Sequence, residues 1–251
     1  MRLFKIAALA LCTSATFNAH ADTVLGIYAG AQGWDMSTSG GFSDESNVTQ
    51  FGFDSETNSS FYAALEHPIP LIPNLKVINT TMDTSGNTVL TSSFTFDGEL
   101  FTADTDVFTD VQLTTTDFIL YYEIFDNDLV SIDLGVNGKY VDGSLLVSDS
   151  ASSLTAEQAF TGIVPMGYSR VAFGLPFTGL GVYAEGSYLS FDDNTVSDFQ
   201  VALTYSFIES LALDMTLQVG YRDTTVELED LDDIYTDLSF DGAFAGIEFH
   251  F

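Results

Sequence analysis

Apolar and polar side chains alternate with a period of two along ten stretches of the chain, at about 23–34, 58–67, 75–83, 111–125, 129–141, 159–173, 180–191, 197–207, 211–223 and 236–251. This pattern predicts ten β-strands, each with one apolar face. The second half shows it most clearly. Over 211–223 one face reads Leu211, Leu213, Met215, Leu217, Val219, Tyr221, and the other reads Ala212, Asp214, Thr216, Gln218, Gly220, Arg222. Over 197–207, Phe199, Val201, Leu203, Tyr205 and Phe207 oppose Asp198, Gln200, Ala202, Thr204 and Ser206. A soluble antiparallel sheet produces the same stripes, so alternation alone leaves a β-sandwich or a lipocalin-like barrel open.

Connection lengths separate these alternatives. Short segments at 67–74, 126–128, 174–179 and 208–210 alternate with segments at 35–57, 84–110, 142–158, 192–196 and 224–235, of which only 192–196 is short. Short periplasmic turns and longer outer loops are the signature of a closed antiparallel transmembrane β-barrel. Ten strands is the preferred count, and eight is the alternative if the first hairpin is read differently. Pro68, Pro70, Pro73 and Pro176 all fall in the short turns, where no ladder hydrogen bond is lost. Pro165 falls inside the sixth strand and predicts either a bulge there or a later strand start.

Both ends of the chain point the same way. Arg2 and Lys5 precede an apolar run from Ile6 to Phe17, and Ala19-His20-Ala21 has the small-x-small pattern of signal-peptidase cleavage, which sets 1–21 as a signal peptide and 22–251 as one barrel domain. Leu11 before Cys12 is too bulky for a lipoprotein cleavage site. The predicted mature chain then has no Cys, which excludes disulfides, thiolate metal sites and Cys nucleophiles. The last strand carries Ile247, Phe249 and Phe251, and this spacing resembles the signal read by the barrel-assembly machinery.

Charge narrows the function classes. Loss of Arg2 and Lys5 takes the formal net charge from −30 to −32, leaving Lys76, Lys139, Arg170 and Arg222 against 36 acids. Nucleic-acid binding is excluded, since phosphate contact needs a basic surface. With 46% apolar residues and 22 Phe, the chain is not a disordered acidic tail either. The five outer segments, with Asp223 at the edge of the last, hold 21 of the acids and no Lys or Arg.

The polar strand faces gather Glu66, Asp117, Glu123, Asp133, Lys139, Arg170, Glu185, Asp198, Asp214 and Arg222, with Tyr121, Asn137, Tyr183, Gln200 and Gln218 beside them. In a narrow ten-stranded lumen these predict a hydrogen-bonded ion network that fills the interior, because buried charge persists only when paired. A water-filled, cation-preferring passage is the competing reading. An outer-membrane enzyme ranks third. The mature chain has only His67 and His250, both at the predicted periplasmic end, and no Ser-His-Asp set assembles at the outer rim. No catalytic, cofactor or metal site is expected. Asp192-Asp193-Asn194 and the run Glu227 to Asp233 lack EF-hand spacing, and offer at most weak Ca²⁺ or Mg²⁺ contacts that bridge to lipopolysaccharide phosphates.

From Asp22 to Phe251 the chain resembles Gram-negative outer-membrane β-barrels of the small, monomeric, roughly ten-stranded kind, and is similar in plan to an uncharacterised family of them. The repeated-Pro turn and the closing strand with Ile247, Phe249 and Phe251 carry the resemblance. It implies the Gram-negative outer membrane as compartment, with its lipid and lipopolysaccharide as partners, and a structural or surface-interaction role through acidic outer loops. It carries over no catalytic residue. Opacity-type adhesins of similar size have basic loops, and this chain departs from them.

Overall fold

The computed structural model describes residues 25–251 except 128, 150, 193, 211, 232 and 233. The predicted signal segment 1–21, with Cys12 and the Ala19-His20-Ala21 site, lies outside the described residues. The strands are β1 (Gly26–Ser43), β2 (Thr49–Gln50), β3 (Glu56–Glu66), β4 (Asn74–Thr81), β5 (Thr84–Val89), β6 (Phe94–Phe96) and β7 (Glu99–Phe101), followed by β8 (Asp106–Asp126), β9 (Val130–Asp149), β10 (Leu154–Leu175), β11 (Leu180–Phe191), β12 (Asn194–Ile208), β13 (Asp214–Leu231) and β14 (Ile234–His250). All pair antiparallel with their neighbours, in the order β14-β13-β12-β11-β10-β9-β8-β4-β3-β1, and β14 returns to β1. Since β4 and β5 both lie along β8, they form one interrupted wall strand, and the barrel closes with ten. The eight-stranded alternative does not hold.

Closure runs from Tyr28↔His250 to Ser43↔Tyr235, and backbone bonds between Ile27 and Phe251 continue it by one pair. Ile247 and Phe249 stand on the outward face of this seam, opposite Ala31 and Ala29 of β1.

The wall strands are longer than the sequence pattern predicts. β8, β9 and β10 have 21, 20 and 22 residues, about twice the 9–11 that span a bilayer. Much of the predicted outer loops 35–57, 84–110, 142–158 and 224–235 is therefore strand, and the barrel wall is about twice as tall as a bilayer-spanning wall needs to be. The reason lies in an inversion of the alternation. Near the Asp126 end of β8 the exposed outward residues are Phe118, Leu120, Tyr122 and Ile124, while inward positions hold Asp117 and Glu123. Farther out on the same strand the buried inward residues are Val107, Val111 and Leu113, and outward ones include Asp106, Asp110 and Gln112. The lower part is patterned for lipid outside. The upper part is patterned as a soluble barrel with its own apolar core.

That core seals the outer end. Phe42, Phe51, Leu90, Phe94, Phe96 and Phe101 pack with Val107, Val111, Leu145, Val147 and Ala156. The small β6–β7 hairpin supplies three of these rings, with Asp97 at φ 48° and Gly98 at φ 74° making its tight turn. A second apolar group, including Trp34, Met36, Met82, Leu113, Phe240 and Phe244, is also buried in the barrel interior.

Pro165 belongs to neither predicted irregularity. β10 starts at Leu154, and its register with β9 runs unbroken through Pro165↔Gly138. Pairing with β11 begins only at Gly167↔Tyr188, so Pro165 sits where β10 is an edge, the setting in which a missing N–H is tolerated.

Candidate functional site

Two ion clusters occupy the lumen, and alternation in seven wall strands aims their charged side chains inward. In the first, Lys139 Nζ lies 2.8 Å from the Asp117 carboxylate and 3.0 Å from Asp198 Oδ2. Arg222 grips Asp198 with two parallel bonds, Nε to Oδ1 at 2.9 Å and an η-nitrogen to Oδ2 at 2.7 Å. Its other η-nitrogen donates to Thr80 Oγ1 at 3.3 Å, and the guanidinium lies 5.0 Å from the Trp34 ring centre. The Asn137 amide donates to Asp117 and, at 3.0 Å, to Ser187 Oγ.

The second cluster centres on Glu185. Lys76 Nζ reaches both its oxygens, at 2.9 and 2.8 Å, while Tyr168 donates at 3.2 Å and Gln200 at 2.6 Å. Arg170 lies 3.7 Å from Glu185 and 3.6 Å from Asp133. Lys76, Lys139, Arg170 and Arg222 thus meet Asp117, Asp133, Glu185 and Asp198, one cation for each carboxylate. Burial of charge is sustained by this pairing, and loss of one partner leaves the other ion uncompensated.

Nearer the barrel end that carries the short turns, the remaining acids are bonded by neutral groups. Tyr62 donates to Glu248 at 2.6 Å and Tyr121 to Glu66 at 2.7 Å, and the Asn74 amide stands 3.5 Å from Glu123. Asp214 is not drawn into the network. It lies on an open vestibule of about 570 Å³ at the strand ends, 3.5 Å from His250, whose ring stacks on Tyr28 at 4.1 Å. The network itself encloses only about 30 Å³, room for roughly two waters. The buried Asn137 Oδ1 and Gln200 Oε1, both at this cavity, lack a protein partner.

Lys76, Tyr62, Glu248 and Gln32 escaped the sequence reading of the network. The signal for Lys76 was its place opposite Leu75 and Val77 on a short strand, disguised by an inward apolar neighbour, Ile78. His67 braces the β3–β4 turn rather than any site, with its Nε2 3.2 Å from the Pro73 carbonyl. Among the described residues no three His, Cys, Asp or Glu side chains group so as to hold a metal ion. Asp193, Asp232 and Asp233 of the acidic runs lie outside the described residues.

No protein-family model matches the chain, and no curated protein matches it. Among solved structures it is similar to the transport unit of the autotransporter AIDA-I from Escherichia coli, at 9% identity over 92% of this chain and 91% of that one, with a TM-score of 0.41. It is also similar to Ail, the attachment invasion locus protein of Yersinia pestis, at 12% identity, coverage of 90% and 99%, and a TM-score of 0.37. The toluene transporter TodX of Pseudomonas putida follows at 7% identity, coverage of 90% and 89%, and a TM-score of 0.34. Such scores carry no argument, and the described strands by themselves define a closed, ten-stranded antiparallel β-barrel.

Proposed function

We propose that this protein is an integral barrel of the Gram-negative outer membrane, closed to solutes, with a structural and surface-interaction role. One observation carries the reading: a charge-balanced ion network and a packed apolar core both occupy the same lumen. All four Lys and Arg of the described chain point into that lumen, so the outside of the extension offers acids such as Asp106, Asp110, Asp142, Glu157 and Asp223 with no basic residue among them. This surface suits cationic partners, or lipopolysaccharide phosphates approached through hydrated divalent ions. Ile247, Phe249 and Phe251 are the proposed contact for the barrel-assembly machinery. The barrel acts as a monomer and without catalysis.

The test is a planar bilayer holding the refolded protein. A closed barrel gives no conductance steps, whereas stable cation-selective steps overturn the reading in favour of a narrow pore. The surface role is tested in nanodiscs, where binding to polylysine should weaken steeply with salt and heparin should not bind. Equal binding to both polymers overturns it.

A further inference from the structure

The β3–β4 turn, His67-Pro-Ile-Pro-Leu-Ile-Pro73, has no Asp, Glu, Lys or Arg, and its apolar side chains stay largely uncovered by the protein: Ile69 is 54% exposed, Leu71 91% and Ile72 51%. Left in water, such a cluster would be an unexplained apolar patch. The turn does not project freely. Tyr122 stands on the outer wall of β8, between the inward Tyr121 and Glu123, and its hydroxyl donates to the Leu71 carbonyl at 3.0 Å. The turn therefore leans over the outside of the barrel. There it continues the outward apolar surface of Leu65, Leu75, Leu120 and Ile124.

Its backbone is prepared for a medium poor in hydrogen-bond partners. Three prolines remove three N–H donors. The His67 N–H is taken by Asn74 Oδ1 at 3.1 Å and the Ile69 N–H by His67 Nδ1 at 3.3 Å. With Nδ1 accepting, the neutral ring carries its proton on Nε2 and donates it to the Pro73 carbonyl. Leu71 also sits at φ 69°, a region that a branched side chain occupies at a cost and that Gly or Asn would occupy more readily. Burial of that side chain in an apolar phase offsets the cost. The β10–β11 turn repeats the device on another part of the wall, where Phe177 follows Pro176, has φ 65° and is fully exposed.

We infer that the β3–β4 turn is a wedge inserted into the periplasm-facing leaflet, where Ile69, Leu71 and Ile72 bind phospholipid at the boundary between acyl chains and headgroups. This rests on the transmembrane reading of the barrel. The experiment places a nitroxide spin label at Leu71→Cys, at Phe118→Cys on the barrel wall and at Ser210→Cys in the polar β12–β13 turn, and measures collision with oxygen and with a water-soluble nickel chelate in phospholipid vesicles. Insertion gives position 71 an oxygen-to-nickel ratio close to that of 118 and far above that of 210. A ratio at 71 like that at 210, with 118 still in lipid, overturns the wedge and leaves the barrel reading intact. A periplasmic protein partner then becomes the occupant to seek. High nickel access at 118 as well overturns the transmembrane reading itself. Ile69→Cys replaces Leu71→Cys if the latter fails to close into a heat-resistant barrel.

Discussion

The ammonium of Lys139 lies 3.0 Å from the carboxylate of Asp198, a residue 59 positions further along the chain and three strands away around the wall. Arg222 holds the same oxygen from the other side, at 2.7 Å. Four strands, β8, β9, β12 and β13, are thereby tied across the lumen by three ion pairs.

Lys139→Met removes one cation from a balanced layer and strands Asp117 with only the Asn137 amide. Breaking a buried pair in this way costs about 3–5 kcal/mol. Urea unfolding from vesicles should show that loss, and adding Asp117→Asn should restore most of it. An unchanged midpoint in Lys139→Met would mean that water, not pairing, supports these charges.

Phe42 and Phe96, both fully buried with ring centres 4.9 Å apart, anchor the outer seal. Either Phe→Ala change should destabilise the barrel by about 3–5 kcal/mol. Neither alone should produce conductance, because the ion layer still closes the lumen. Single-channel recording checks this, and steps in Phe96→Ala would show that the apolar core alone is the barrier.

How far the sequence revealed this arrangement depends on which face of a strand was apolar. Where Phe118, Leu120 and Tyr122 face outward, alternation is legible, and Asp117 and Glu123 alternate with them on the inward face. Beyond Thr116 the apolar residues change face. Val107, Val111 and Leu113 point inward among Thr and Asp, so the pattern weakens within the strand predicted at 111–125, and from residue 110 outward the stretch reads as a polar loop unless the inversion is allowed for. The same happens from Lys139 to Leu145 in β9. Phe94, Phe96 and Phe101 flank an Asp97-Gly98 pair, which is a hairpin signal in its own right. Which cations meet which carboxylates depends on strand tilt and register, and spacing along the chain does not encode those directly.

The inversion gives opposite expectations for one substitution at two outward sites. Val219 is 62% exposed on the lower part of β13, and under the proposed transmembrane role Val219→Arg should weaken insertion into vesicles by about 2–4 kcal/mol. Glu157 is exposed on the outer part of β10, and Glu157→Arg should change folding by no more than about 0.5 kcal/mol. Folding titrations into vesicles check both. Equal losses would mean that the membrane boundary lies farther out than the change of face at Thr116.

Closure depends on Gly242, which pairs with Met36 across the β1–β14 seam. A Cβ at this inward position would fall 1.9 Å from the Asp35 carbonyl oxygen and 3.2 Å from Trp34 Nε1. The nearest of these atoms is backbone of the partner strand, so it cannot swing aside as a flexible side chain would. Gly242→Ala must therefore spread the seam or displace the buried Trp34, at a cost of about 1–3 kcal/mol. Gly138, on the outward face of β9, has nothing within 4 Å of a built Cβ. Gly138→Ala should thus gain about 0.5–1 kcal/mol from lost chain freedom in the unfolded state. The fraction of protein that keeps its fast, heat-sensitive gel mobility reads out closure in both variants. A drop for Gly242→Ala with no drop for Gly138→Ala identifies the seam, rather than strand propensity, as the point of weakness; equal mobility in the two would place the limit on closure elsewhere in the wall.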